Sequence, residues 1–145
     1  MGDQCRSPFS FFNEVISTMF PNNMQTLEDF QTFHRWLDEK NNFNTDIFLN
    51  MVLLSAEIGE FAQVLKKVYW RIDPQRNEGR SARTLEEALA EHHDELGQEL
   101  ADCLAYLLKI ANYTGIDLQA AYLKKMAENV SHLWTYPQQK ESTKA

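Results

Sequence analysis

Four carboxylates sit at spacings that place each pair on one side of a helix. Glu57 and Glu60 lie in Ser55-Ala56-Glu57-Ile58-Gly59-Glu60-Phe61-Ala62. Glu99 and Asp102 lie in Gln98-Glu99-Leu100-Ala101-Asp102-Cys103-Leu104-Ala105-Tyr106-Leu107. At the pitch of an α-helix, Leu53, Glu57, Glu60 and Val64 form one column, and Glu95, Glu99, Asp102 and Tyr106 form another. Each column runs beside an apolar stripe: Leu54, Ile58, Phe61, Leu65 and Val68 in one helix, and Leu96, Leu100, Cys103, Leu107 and Ile110 in the other. Packed antiparallel, the two helices bring Glu57, Glu60, Glu99 and Asp102 together. Like charges so close and partly desolvated are unfavourable unless protons or cations neutralise them. The chemistry that needs such a cluster is the binding of a hard divalent cation through oxygen. Mg²⁺ would keep some of its waters, take phosphate oxygens as further ligands and ready a water for in-line attack on phosphorus. Either acidic pair alone is commonplace on a solvated helix. The apolar setting of both pairs, and a chain order that makes their helices face each other, argue for a site.

The elements that must position these acids follow from periodicity and from stop signals. Thr26 caps a first helix reaching about Lys40, with Leu27, Phe30, Phe33, His34 and Leu37 inward; Asn41-Asn42 ends it. A second, very apolar helix spans about Asp46 to Trp70 and reads as central. Residues 71–83 form the one long polar loop, with Arg71, Arg76, Arg80 and Arg83. Thr84 with Glu87 reads as a capping box opening a third helix that continues to about Tyr113. Gly115 stops that helix, and Asp117 caps a fourth that reaches about Trp134. The expected fold is an all-α, four-helix bundle core over residues 26–136, with an N-terminal extension (1–25) and a polar tail (137–145). Phe9, Phe12, Val15, Ile16, Met19 and Phe20 recur at helical spacing within the extension, and Pro21 follows.

Composition agrees. A chain of 145 residues fits one domain, and with 5 Gly and 4 Pro it is poor in the turns that an all-β protein requires. The net charge of −7 disfavours a duplex nucleic-acid partner, but it does not exclude a phosphorylated small molecule bridged by divalent cations. Two cysteines give no disulfide framework, and Cys103 reads as a small core residue. Contiguous apolar runs are far short of a membrane span, and the opening Met-Gly-Asp-Gln-Cys-Arg carries no apolar signal block. The expected location is the cytoplasm, with no membrane partner.

The ordered set of motifs resembles the all-α nucleoside triphosphate pyrophosphohydrolases of the MazG type, including dCTP pyrophosphatases. Beyond the two acidic motifs, the likeness takes in Leu27-Glu28-Asp29-Phe30 with Phe33-His34, and Gly115-Ile116-Asp117-Leu118 with Lys125-Met126 and Asn129. It covers roughly residues 26–134. The resemblance implies a helical core that oligomerises, with sites near subunit contacts. Small or apolar residues on more than one face of the second and third helices, Ala101, Ala105 and Leu108 among them, are more than a lone four-helix domain can cover and predict a dimer or tetramer. It implies Mg²⁺, with Mn²⁺ as an alternative, on Glu57, Glu60, Glu99 and Asp102, and it places Lys125 and Asn129 near substrate. The chain departs from many members at Ala56 and Gln98, where they carry acids. Its 71–83 loop is longer, and Trp70 lies further from Glu60 than the tryptophan of some dCTP-specific members. These departures bear on the base rather than on the reaction class.

The expected reaction is hydrolysis of a (deoxy)nucleoside triphosphate to monophosphate and pyrophosphate, in nucleotide-pool housecleaning as the resemblance implies. Glu60 or Glu95 would act as general base, and Lys125 with loop arginines such as Arg83 would steady the leaving pyrophosphate. His34 is either a core histidine or a base- or phosphate-contacting group. Phe43, Tyr69, Trp70 and Trp134 are either core or stacking surfaces for a base. Three alternatives use the same framework: an enzyme for dUTP or a diphosphate, a non-catalytic helical interaction module, and a di-iron or manganese carboxylate bundle. The lack of a Glu-x-x-His pair weakens the last.

Overall fold

The computed structural model describes residues 26–75 and 83–131. Expectations for the N-terminal segment, for Arg76 and Arg80, and for Trp134 and the tail lie outside these residues. Five α-helices and no strand are found among the described residues: α1 (Leu27–Asn41), α2 (Ile47–Ile72), α3 (Leu85–Glu91), α4 (His93–Tyr113) and α5 (Leu118–Ser131).

Each boundary has a local cause. Thr26 and Asp29 form a reciprocal capping box at α1, and Thr84 and Glu87 form one at α3. Each such cap satisfies backbone donors that the first turn leaves open and is worth about 1 kcal/mol. Asp46 caps α2 by accepting from the Leu49 amide at 2.7 Å. Asp117 caps α5 by accepting from the Ala120 amide at 2.9 Å. Two helices close in the same way. At α1, Asn42 adopts φ 51°, and the Phe43 amide reaches back to the Asp38 carbonyl at 3.0 Å. At α4, Gly115 adopts φ 68°, and the Ile116 amide reaches the Ala111 carbonyl at 2.9 Å. These left-handed positions suit glycine and asparagine, and they absorb the last open carbonyls.

The third expected helix is a correction: it is two helices, broken at His92, which has φ −112° and ψ 14°. No Gly or Pro marks the break. His92 is buried, its Nδ1 lies 3.3 Å from Glu95, and Ala88 one turn earlier is wholly enclosed. Tertiary burial of these two side chains accompanies the bend, and neither the periodicity nor a stop residue announces it.

α2 and α4 form the central pair; α1 packs on α4, α3 on α2, and α5 on α1. α4 is therefore covered on two sides. Leu54, Val64 and Val68 of α2 and Leu108 and Ala111 of α4 are buried. The polar link between α1 and the α4–α5 turn runs through Gln31. Its Nε2 donates to Asn112 Oδ1 at 3.1 Å and to the Ile116 carbonyl at 2.9 Å, while its Oε1 accepts from the Leu118 amide at 3.0 Å.

Two expectations about apolar faces change. Leu108, read as surface that a lone domain leaves bare, is 1% exposed, because α1 covers that side of α4. Conversely, Ile58, Leu65, Leu100 and Leu107, read as core stripe, are exposed. They belong to an uncovered face that also carries Phe48, at 83% exposed, and Val52 on α2, and Leu104 on α4. Although its contiguous apolar runs are short, α2 as a whole is long and apolar enough to cross a membrane by length and composition alone. That same helix carries both Glu57 and Glu60.

Candidate metal centre

The expected meeting of acids across α2 and α4 is present for three of the four. One carboxylate oxygen from each of Glu57, Glu60 and Glu99 lies within 4.8 Å of the others. Glu57 and Glu99 are half-buried and Glu60 is exposed. Asp102, one turn beyond Glu99, is exposed and outside that trio, yet its charge acts on Glu57. Among the described residues, no lysine or arginine lies within ion-pairing distance of these four acids. The donor set is all oxygen, charged and open on one side. That fits a hard divalent cation that retains room for water and phosphate oxygens.

Desolvation, followed by the charges of Asp102, Glu60 and Glu99, holds the Glu57 carboxyl above the usual glutamate range. The thiol of Cys103 is likewise pushed up, by burial and then by Glu57, Glu99 and Asp102. Burial and then Glu57 and Asp102 raise Tyr106 as well. The sequence places Tyr106 in the acid column without a role. In the fold it is the neutral hydroxyl beside the cluster.

A linkage prediction follows. The native state binds a proton at Glu57 more tightly than the unfolded chain does. The associated stability is present below the ordinary glutamate pKa and is lost as pH rises through the raised value. Metal-free protein should therefore melt at a lower temperature across that rise than Glu57→Gln does, and Mg²⁺ should remove the difference. Parallel thermal melts of both proteins, with and without Mg²⁺, check this. Identical pH profiles for the two would contradict it.

The remaining expected residues are placed as follows. Glu95 is held by Lys67 and, at 3.3 Å, by His92; the Lys67 and His92 contacts lower its pKa, and it lies outside the trio. Arg83 donates to Glu91 at 2.6 Å, opposite Arg71 at 2.7 Å, so both arginines clamp the neck of the loop through one carboxylate. Trp70 is partly exposed, with Lys66 Nζ 5.1 Å from its ring centre. Lys125 lies on α5 and pairs with Glu128 at 3.4 Å; Asn129, one turn on, is half-buried beside Met126. His34 is half-buried with an enclosed Nδ1, and burial lowers its pKa.

Sequence reasoning missed a polar network at the far end of α4. The buried Asp38 of α1 pairs through Oδ1 with Lys109 at 3.2 Å, and it accepts at Oδ2 from the Tyr113 hydroxyl. The only sequence signal was that Lys109 and Tyr113 continue the column of Asp102 and Tyr106.

Among the described residues, an all-helical fold with clustered carboxylates is suited to a hard cation and, through it, to an anionic substrate. The model of one family, the MazG nucleotide pyrophosphohydrolase domain, matches residues 48–134. The chain belongs to this family, which supports nucleotide pyrophosphohydrolase activity, a nucleotide substrate and metal dependence. The match begins after α1, so His34 and Asp38 lie outside it, whereas all four acids, Lys125 and Asn129 lie inside. Comparison with curated proteins and with solved structures gave no match.

Proposed function

We propose that the protein hydrolyses a nucleoside triphosphate between its α- and β-phosphates, releasing monophosphate and pyrophosphate, with Mg²⁺ or Mn²⁺ as cofactor. The observation that carries this is the meeting of Glu57, Glu60 and Glu99 oxygens within 4.8 Å, inside a MazG domain. These three, with Asp102 beside them, would hold the cation. Bound there, it would supply Lewis acidity and offset the charge of the phosphates. Glu60 is the better candidate to take a proton from the attacking water. It is exposed at the cluster, whereas Glu95 is tied to Lys67 and His92 and its basicity is reduced. The Lys125–Glu128 pair is an exposed contact within one helix, worth little in water. Lys125 can exchange that partner for a phosphate oxygen of the leaving group.

Incubation with a panel of nucleotides and Mg²⁺, followed by chromatography, should give nucleoside monophosphate and pyrophosphate in equal amounts. Release of diphosphate and orthophosphate would refute the assigned bond cleavage. We place the activity in upkeep of the nucleotide pool, on the strength of the family resemblance.

We also propose that a second copy of the chain covers the bare face of α2 and α4. Phe48, Val52, Ile58, Leu65 and Tyr69 recur on α2 at four- to seven-residue spacing, and each is exposed. A continuous apolar stripe of this length is unusual on a soluble surface without a partner. Light scattering should report a dimer or tetramer at micromolar concentration, and Ile58→Glu should shift it towards monomer. A wild-type monomer at that concentration would count against this assembly.

A further inference from the structure

Glu99, Asp102, Tyr106, Lys109 and Tyr113 recur every three or four residues, so one face of α4 runs from the acidic cluster to Lys109. The rise from Glu99 or Asp102 to Lys109 is about 10–15 Å, close to the reach from a nucleotide's phosphates to the far edge of its base. At that point the fold holds a nearly enclosed ammonium. The Lys109 side chain is 13% exposed, and its Nζ lies 4.9 Å from the centre of the Phe43 ring and 5.5 Å from that of Tyr106. Asp38 balances its charge and is itself fixed by the Tyr113 hydroxyl. An ammonium carries three donors, and among the described residues Lys109 has no acceptor besides Asp38. Its partner Asp38 and its neighbours Phe43 and Tyr113 line an adjoining cleft of about 380 Å³ with Arg35, Glu39 and Asn112; Lys109 and Tyr106 are not among the residues that line it. Burying an ion pair is costly and adds little stability by itself.

We propose that Lys109 selects the base of the nucleotide: its unused N–H groups donate to a carbonyl oxygen on a base lying against Phe43 and Tyr106. This rests on the nucleotide reading above and deepens it. An ammonium is a donor only. It matches the O4 of uracil or thymine and the O6 of guanine, and it opposes the amino groups that cytosine and adenine present at the same edge. The favoured substrates are triphosphates of keto-edged bases. Asp38 and Tyr113 are positioning residues that hold the ammonium in place.

The experiment compares kcat/KM for dUTP, dTTP, dGTP, dCTP and dATP with Mg²⁺ in wild type, in Lys109→Arg and in the double variant Lys109→Met with Asp38→Asn. The double variant removes both charges together, so neither is left buried alone. Wild type should prefer the three keto-edged substrates. The double variant should lose about ten- to a hundredfold on them, the worth of one hydrogen bond to a charged group, mainly through KM, with far smaller change on dCTP and dATP. Lys109→Arg, which keeps a donor and the partner of Asp38, should retain the wild-type order. An equal loss on all five substrates, no loss on any, or a wild type indifferent to the edge would overturn the assignment of Lys109. A wild type that hydrolyses none of them would overturn the pyrophosphohydrolase reading and this assignment with it.

Discussion

Glu57→Gln and Glu60→Gln should each lower turnover by roughly a hundredfold or more, since even residues that merely orient a metal's ligands are worth about 10–100-fold. Both changes preserve size and nearly preserve shape. Each removes one charge from a trio whose oxygens lie within 4.8 Å of one another with no lysine or arginine beside them among the described residues. A cation held by that trio loses a charged ligand, and substrate phosphate loses its anchor. The folded state, by contrast, should hold or gain stability without metal, because mutual repulsion is relieved. For ordinary surface acids the same substitutions shift stability by only about 0.5 kcal/mol and leave activity intact. Turnover measured beside the metal-free melting temperature separates the two cases. Wild-type turnover in either variant ends the case for that residue. A sharp loss of metal-free stability instead assigns its carboxylate to a cation of the protein.

Asp38→Ala should cost about 3–5 kcal/mol of folding stability, the range found when one partner of a buried ion pair is deleted. Asp38 is 5% exposed and its partner Lys109 13%, so solvent screens the pair little. Truncation strands the Lys109 ammonium beneath Phe43 and Tyr106, and it leaves the Tyr113 hydroxyl without its acceptor. Asp38→Asn combined with Lys109→Met should recover most of the loss, because no lone charge remains. Urea unfolding of the three proteins gives the comparison. A loss below about 1 kcal/mol for Asp38→Ala would mean that the ammonium finds water, so that the network is not a buried one.

The reach of the sequence differs between these two sites for a physical reason. The acidic cluster was legible because the acids on each helix are three residues apart and flank an apolar stripe, so that antiparallel packing of the two helices can bring the pairs together. The helix ends were legible too: Thr26, Asp46, Thr84 and Asp117 are caps with short-range partners, and Asn42 and Gly115 take the left-handed conformations their types favour. The network of Asp38, Lys109 and Tyr113 was not legible. It joins residues more than 70 positions apart, and periodicity carries no information about which polar groups pair across helices. On α4, Leu100, Leu104 and Leu107 share one column with Ala111, yet only Ala111 is buried. The polar contacts of α1 fall on Lys109, Asn112 and Tyr113, at the C-terminal end of α4, so periodicity alone does not tell which part of that column is covered. The break at His92 is not legible because no glycine or proline marks it; an enclosed Ala88 and a buried histidine accompany it.

The central claim is that the acids of α2 and α4 serve the reaction by holding a divalent cation. The direct measurement is pyrophosphate release from a nucleoside triphosphate by wild-type protein, first stripped with excess chelator and then titrated with Mg²⁺ beyond the chelator. The account predicts no turnover in chelator, full recovery on adding Mg²⁺, and no recovery in Glu57→Gln at the same Mg²⁺ concentration. Full turnover in the presence of excess chelator would contradict it.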